Sequence, residues 1–252
     1  MSPRSSNVFD KLMHISIITP NYNREQYLPD FIRSVKGQTQ AGVTLYVGDD
    51  RSTDRSAALL RREGIEYTVL PTHTGRPSAG ANAAIRLALE KRPDTDFFVR
   101  ADSDDTLPPT LIEEALNHLL KTGSDWVMFN LQRFGGASDT IEYQVGLQKS
   151  DLFAKHPLTA VGIFKRSVIE RVGFYDDDLA YDDWALNVKL LDSGFTYSIL
   201  PSPYYLYRMH GGQVTETFDT HKHSKATEEL QEKLFGTSGP DRRMERRDSD
   251  VY

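Results

Sequence analysis

The sequence predicts an α/β fold with a mostly parallel central sheet and helices on both faces. Three observations carry that expectation. Short β-branched or apolar runs alternate with longer stretches whose apolar residues recur at helical spacing. Several of the short runs stop at small or acidic residues, as strands do where an open sheet meets its ligand-binding loops. The chain has 252 residues, 38% of them hydrophobic, enough for one substantial core.

The elements follow in order. Residues 1–12 read as a flexible arm. His14–Thr19 is a β-branched run that stops at Pro20. From about Arg24 to Gln38, the spacing of Tyr27, Leu28, Phe31, Ile32 and Val35 predicts a helix. Val43–Val47 is a second strand running into Gly48-Asp49-Asp50, and Ser52 or Thr53 can cap a helix through Glu63. Ile65–Leu70 is a third strand, followed by a polar loop over Pro71–Ser78 and a helix over Ala79–Lys91. Asp96–Arg100 is a fourth strand that ends at Ala101-Asp102-Ser103-Asp104-Asp105. Pro108 and Pro109 suit the first turn of a helix through Lys121, and Asp125–Phe129 is the next strand.

After Asn130 the pattern changes. Residues 131–165 hold a Gly135-Gly136 turn, an alternating piece at Ile141–Val145 and a short helix at Ser150–Lys155. Helices follow at Arg166–Val172 and Ala180–Asp192, then short strands at Phe195–Ile199 and Tyr204–Arg208. Residues 13–214 thus read as one domain, with a first half over 13–130 and a second half over 131–214. Residues 215–252 read as a helix at Lys222–Leu234 and a charged, disordered tail from Gly236.

Composition excludes several chemistries. There is no cysteine, hence no disulfide, thiol nucleophile or cysteine zinc site. Net charge is −6 and the basic residues are scattered, which argues against nucleic acid as a partner. The first residues lack an apolar segment of signal-peptide type, and no window approaches a spanning helix. A cytoplasmic protein is expected, with the inner membrane face as a second place of work; a homodimer is compatible with the sequence.

Three acidic clusters stand out: Asp49-Asp50 with Asp54; Asp102, Asp104 and Asp105; and Asp176-Asp177-Asp178 with Asp182-Asp183. The first is also good turn and cap chemistry, and the second could be a plain loop before a helix. Three carboxylates within four residues repel one another unless a cation is present. Mg²⁺ and Mn²⁺ take carboxylate oxygens while keeping waters or substrate phosphates, so the second cluster suits a metal that carries a diphosphate. P-loop, HExxH, EF-hand and GxGxxG patterns are all missing. Phe97, Phe98, Trp126 and Phe129 fit core strands.

Five segments in order resemble the inverting nucleotide-sugar glycosyltransferases of family 2, which have the GT-A fold. They are ISIITPNYNREQYLPDFIRSVKGQT, VGDDRSTDRS, FFVRADSDDTLPPTLIE, GFYDDDLAYDDWALNVKLLDSG and YRMHGGQVT, together spanning residues 14–215. The resemblance implies a GT-A-like (Rossmann-like) sheet with an acceptor-side extension, in which 13–130 is the nucleotide-sugar-binding half and 131–214 the acceptor-side half. It also implies metal-dependent transfer from a nucleotide-diphosphate sugar, UDP-linked by expectation, to a hydroxyl on a polysaccharide, glycolipid or small glycoside. Mn²⁺ or Mg²⁺ is the implied cofactor.

Residue roles follow from the same resemblance. Thr19, Pro20, Asn21 and Tyr22 at the end of the first strand would contact the nucleotide, and Asp50 the donor base, with Asp49 shaping the loop. Asp104 is the expected metal ligand; Asp102 would lie near the ribose or a metal-bound water, with Ser103 between them. Asp183 matches the catalytic base and Asp182 its acidic neighbour. His210 is either a third metal ligand or an ordinary loop histidine. Trp184 and Tyr181 either pack or line the acceptor side. The chain departs from the family where an Arg-Asn pair is common: Asn82 is present, but Ala81 precedes it, and Arg76 is the substitute for a phosphate contact. The late pair reads Asp-Asp instead of Glu-Asp. Two other functions compete: a nucleotidyltransferase acting on sugar phosphates, which would want a Gly-rich basic loop after the first strand, and a non-catalytic carbohydrate-binding domain of the same fold, which would lose an acidic cluster.

Overall fold

The structure, a computed structural model, describes residues 12–153, 158–159, 161–173, 175–177, 179, 181–211 and 220–236. The first half alternates as expected: β1 (Ile15–Asn21), α1 (Leu28–Lys36), β2 (Val43–Asp49), α2 (Ser56–Arg62), β3 (Glu66–Val69), α3 (Pro77–Lys91), β4 (Phe97–Arg100) and α4 (Leu111–Thr122). The second half holds β5 (Trp126–Phe134), β6 (Thr140–Ile141), β7 (Gly162–Lys165), α5 (Arg166–Val172), α6 (Asp182–Asp192), β8 (Tyr197–Arg208) and α7 (Thr220–Phe235). One 8-stranded sheet runs β3-β2-β1-β4-β7-β5-β6, with β8 paired to β5. The pairs among β1 to β4 and the β5–β8 pair are parallel, whereas β7 is antiparallel to both β4 and β5.

Period-two alternation splits the core into two layers. Ile15 and Ile17 of β1 face Phe31, Leu60 and Leu111 on one side, while Ile18 faces Ile85, Trp126 and Trp184 on the other. α1 buries Leu28, Phe31, Ile32 and Val35, a single stripe at helical spacing. α3 sits exceptionally close to the sheet. A Cβ on Gly48 would stand 1.9 Å from the Gly80 carbonyl oxygen, and one on Gly80 would stand 2.9 Å from the Pro20 Cβ. Only glycine at both positions allows that approach, and it brings the start of α3 against the ends of β1 and β2.

Several boundaries differ from the sequence reading. Pro108 and Pro109 precede α4 instead of opening it, and α6 starts at Asp182. Tyr197–Arg208 is one strand, with a register shift between Phe129 and Leu131 of β5, where two short strands were expected. The expected helix at Ser150–Lys155 is a 3-10 turn over Lys149–Leu152, as far as the described residues go. β7 was not expected: the reading of 131–165 holds a turn, an alternating piece and a short helix and assigns nothing to Gly162–Lys165, yet this strand is what joins β4 to β5. The expected helix near the C-terminus is α7, while the arm at 1–11 and the tail after Gly236 lie outside the described residues. Among the described residues no helix is long and apolar enough to cross a membrane.

Candidate active site

The ends of β1 and β2 come together first. Asn21 pairs in register with Asp49. Its Nδ2 donates to Asp49 Oδ1 at 2.7 Å, while the backbone N–H of Ser52 donates to Asp49 Oδ2 at 2.9 Å. Asp49 is therefore a loop-shaping carboxylate, as its place in a turn suggested. Asp50 is also buried, and its carboxylate gathers the loop after β3. The N–H groups of Thr74 and Gly75 each donate to it at 2.8 Å, the Thr74 hydroxyl at 3.1 Å, and His73 Nδ1 lies 3.0 Å away. The His73 ring stacks on Tyr22 at 4.2 Å, so an aromatic pair stands beside Asp50. Thr19 is fully buried, and its hydroxyl oxygen has no hydrogen-bond partner.

The loop after β4 holds the second cluster. Asp105 is buried and accepts the Arg208 backbone N–H at 2.8 Å, and Arg208 Nε donates to the Asp104 carbonyl at 2.7 Å. A Thr106–Leu206 bridge completes the fastening of this loop to β8. Burial above all, with the neighbouring Asp104 charge, pushes the Asp105 carboxyl well up, which suits an anchor. Asp104 is left facing outward from this anchor. Its Oδ2 accepts Arg24 Nε at 2.9 Å and lies 3.0 Å from His210 Nε2. His210 in turn stacks on Tyr27 at 4.5 Å. Asp102 accepts Nη2 of the buried Arg100 at 2.8 Å, and its own N–H donates to the Tyr205 hydroxyl at 3.0 Å. Burial raises its carboxyl while Arg100 pulls the other way.

The third cluster reaches the same place through the loop before α6. Asn82 Nδ2 donates to the Tyr175 carbonyl at 3.0 Å and to Asp177 Oδ1 at 2.7 Å, and the Tyr175 N–H donates to Asn82 Oδ1 at 2.9 Å. Arg76 donates to the Asp177 carbonyl. Asp182 and Asp183 open α6, where first-turn carboxylates suit the unpaired N–H groups. The Asp183 N–H donates to Asp182 Oδ1 at 2.9 Å, and the Trp184 N–H to Asp183 Oδ1 at 2.8 Å. Burial first, then the Asp183 charge, push Asp182 up to about 7, against the pull of Arg100. Like-charge repulsion from Asp104 and Asp183 adds to the rise of the Asp102 carboxyl.

A divalent cation can be tested against these donors. Asp104 and His210 offer an oxygen and a nitrogen side by side, with Asp102 two residues from Asp104. Among the described residues no group of three His, Cys, Asp or Glu side chains converges as a metal site. Mg²⁺ and Mn²⁺ keep waters and take substrate phosphate oxygens, so two protein donors suffice when a diphosphate supplies the rest. The residues fit a cation shared with a donor, not a protein-only cage. Arg24 occupies the same Asp104 oxygen and would have to give way.

Most of the residues singled out in the sequence meet here, with corrections. Of the two readings offered for Trp184, packing is the one its surroundings match: it is buried, and its indole N–H donates to the Leu152 carbonyl at 2.7 Å. Tyr181 lies half-buried and tilted against it at 5.8 Å. Asn82 is buried and Arg76 exposed, and both hold the 175–177 segment in this structure. Pro20 packs on Gly80, and Ser103 is buried within the acidic loop. Arg24, His73, Arg100 and Tyr175 were missed. Arg100 carried a signal, since an arginine at the end of an otherwise apolar strand must meet an acid; the others become visible only through tertiary contacts.

A family profile described as Glycosyl transferase family 2 matches residues 16–176. An uncharacterised glycosyltransferase of Haemophilus influenzae is 32% identical over 128 residues, 47% of this chain and 49% of that protein. The poly(ribitol-phosphate) β-N-acetylglucosaminyltransferase TarS of Staphylococcus aureus is 24% identical over 131 residues, 50% of this chain and 22% of that protein. The matches thus span half or less of these two relatives' own length. Among solved structures, TarS residues 1–349 in complex with UDP-GlcNAc superposes with a TM-score of 0.67 at 18% identity, covering 82% of this chain and 62% of that one. The mannosyltransferase PcManGT from Pyrobaculum calidifontis, in complex with GDP-Man and Mn²⁺, gives 0.54 at 18% identity, covering 81% and 59%. At such identities the superpositions establish the fold: a GT-A-like, Rossmann-like sheet.

Proposed function

The chain belongs to glycosyl transferase family 2, and from that premise we propose that it transfers a sugar, with inversion, from a UDP-linked donor to a hydroxyl of a carbohydrate polymer or glycolipid. One observation carries the reading: in the acidic loop after β4, Asp104 Oδ2 meets His210 Nε2 at 3.0 Å. Base-side, diphosphate-side and acceptor-side groups would then serve one bound donor. Asp50, with the Tyr22–His73 stack, would take the nucleobase. Asp104 and His210 would hold Mg²⁺ or Mn²⁺, which when bound neutralises charge on the departing diphosphate. Asp183 would accept the proton of the attacking hydroxyl. The UDP preference draws support from the TarS complex, and the polymer acceptor from the poly(ribitol-phosphate) that TarS acts on.

Thermal shift and calorimetry with UDP-, GDP-, CDP- and TDP-sugars, each with and without Mn²⁺, test this reading. A UDP-sugar that stabilises the protein only when Mn²⁺ is present, and is then turned over with an acceptor, is the expected result. Stabilisation by another nucleotide sugar alone would replace the donor, and indifference to all of them would sink the transferase reading.

A further inference from the structure

The proposed function gives the donor base to Asp50, yet in this structure that carboxylate is already engaged. Its side chain is 6% exposed. Oδ1 accepts the Thr74 N–H at 2.8 Å, and Oδ2 accepts the Gly75 N–H at 2.8 Å and the Thr74 hydroxyl at 3.1 Å. His73 adds a further donor, its Nδ1 lying 3.0 Å from Oδ2 and 3.0 Å from the Asp50 backbone carbonyl. Both of these neighbours are acceptors, so Nδ1 carries the hydrogen. Together the donors fill the roughly four lone-pair sites of a carboxylate. The imidazole face lies on Tyr22, with ring centroids 4.2 Å apart and planes 24° from parallel. A planar base between the two rings would need them about 7 Å apart, twice a van der Waals contact. A base that reaches both Asp50 and Tyr22 therefore has to take the place of the imidazole. His73 is also the partner able to leave. It is half-exposed and bonds Asp50 through its side chain, so rotation about its own side-chain bonds frees Oδ2 and the Tyr22 face. The Thr74 and Gly75 N–H groups keep their bonds meanwhile.

We propose that His73 stands in for the nucleobase. It presents what such a base would present: a planar ring, an N–H directed at Asp50 Oδ2 and a face on Tyr22. A donor enters by turning the imidazole outward, and its base competes with a side chain held by the same two partners. His73 thus cuts the apparent affinity for a nucleotide to the fraction of molecules in which the ring has swung away. It also sets a chemical condition on the ligand. A base with an N–H to give to Asp50 replaces the bond that His73 loses, whereas one without it leaves the buried carboxylate short of a donor. The inference rests on the reading of Asp50 as the base-binding group and adds to it the residue that the base must displace.

The test is calorimetry in the full chain, comparing wild type with His73→Ala and His73→Phe. The ligands are metal-free UDP, its N3-methyl derivative, and inorganic pyrophosphate with Mn²⁺. UDP is expected to bind His73→Ala about 3- to 10-fold more tightly than wild type, the range that loss of one competing ring contact gives. His73→Phe keeps a ring for Tyr22 but has no N–H for Asp50, and should gain less. Pyrophosphate has no base, so its affinity should stay within about 2-fold in both variants. Unchanged or weaker UDP binding in His73→Ala overturns the proposal, makes His73 part of the platform that holds the base, and leaves the Asp50 reading standing. An equal gain for pyrophosphate also overturns it, because the whole loop would then have loosened. The N3-methyl derivative probes the reading underneath. Wild type should bind it at least about 10-fold more weakly than UDP, and equal binding removes the base from Asp50 and this inference with it. Hydrogen exchange at the Thr74 and Gly75 amides of ligand-free His73→Ala should match wild type. Exchange faster by more than about 10-fold would show that the ring cannot leave without the loop, which overturns the proposal as stated.

Discussion

His210 Nε2 lies 3.0 Å from Asp104 Oδ2, although 106 residues separate the two in the chain. β8 makes that meeting possible. Its pairing with β5 and its bridge to Thr106 bring the end of the strand over the acidic loop. The pair presents the two donors that a donor-bound cation would need. Asp104→Asn is expected to weaken Mn²⁺-dependent donor binding by about 10²-fold, and His210→Ala by about 10-fold. Metal-free nucleotide binding should be unaffected in both. Calorimetry across a Mn²⁺ series checks this, and wild-type Mn²⁺ dependence in Asp104→Asn would remove the cation from this site.

Asp50 organises the loop over residues 73–75 as well as facing the proposed base pocket. Asp50→Ala should therefore weaken metal-free UDP binding about 10-fold and, in the unliganded protein, speed amide exchange at Thr74 and Gly75, whose N–H groups lose their acceptor. Hydrogen exchange separates the two effects. Faster exchange with unchanged UDP affinity would make Asp50 a loop anchor alone.

The alternating first half was legible because strand and helix periods there are clean and several of its strands stop at a small or acidic residue. Asp50, Asp102, Asp104 and Asp183 could be placed on strand ends or a helix start from sequence alone. What sequence could not supply was the charge partners. Arg24 reaches Asp104 across 80 residues, and Arg208 reaches Asp30 across 178. β7 escaped because four residues with a glycine, Gly162–Lys165, give too short a pattern to tell a strand from a turn. The same shortness hid what Gly162 is for: a Cβ there would stand 2.5 Å from the Val127 carbonyl oxygen of the neighbouring strand. Trp184 was ambiguous because an aromatic beside an acidic pair suits both a core and a sugar site, and only the Leu152 contact decides it.

α7 is docked to the body of the domain. Leu230 is buried, Gln231 donates to the Phe153 carbonyl at 2.8 Å, and Lys233 pairs with Asp176 at 2.9 Å. Removing residues after Gly236 should leave thermal stability and turnover within about 2-fold of wild type. Removing α7 as well should destabilise the protein by roughly 2–4 kcal/mol, chiefly through the lost burial of Leu230 and its neighbours. Thermal melts of the two truncations check this, and equal melts would mean that α7 contributes nothing.

Asp182 makes stability fall with rising pH. Burial raises its carboxyl from the ordinary 3.8 to about 7 in the folded chain. Between those values the folded state binds the proton and the unfolded state does not, so the contribution is full below about pH 4 and lost as pH rises through about 7. Asp182→Asn removes the titration. Wild type should therefore lose more stability than Asp182→Asn between pH 5 and pH 7, by on the order of 1 kcal/mol, in chelator-treated protein. Urea unfolding at the two pH values measures it; a wild type no steeper than the variant would show that Asp182 titrates normally.

Asp183 should be the group that takes the proton from the acceptor hydroxyl. An inverting displacement needs a base on the face opposite the leaving group, and the leaving diphosphate needs no protein acid. One carboxylate placed on the acceptor side is therefore enough. Asp183 is proposed for that place: it lies in the first turn of α6, and one oxygen accepts the Trp184 N–H at 2.8 Å. Trp184 cannot move with it, because the indole is buried and tied to Leu152, so the backbone that carries Asp183 is fixed from behind. Asp182 is the worse candidate, since one oxygen accepts the Asp183 N–H and the other is enclosed. Asp183→Asn keeps the volume and a hydrogen-bond acceptor for Trp184 while removing the basicity. Transfer should drop by ~10²–10⁴, the usual range for general-base assistance, with donor affinity nearly unchanged because the residue acts on the other substrate. Rates near wild type in Asp183→Asn, beside a collapse in Asp182→Asn, would move the base to Asp182 and require the head of α6 to rearrange when the acceptor binds.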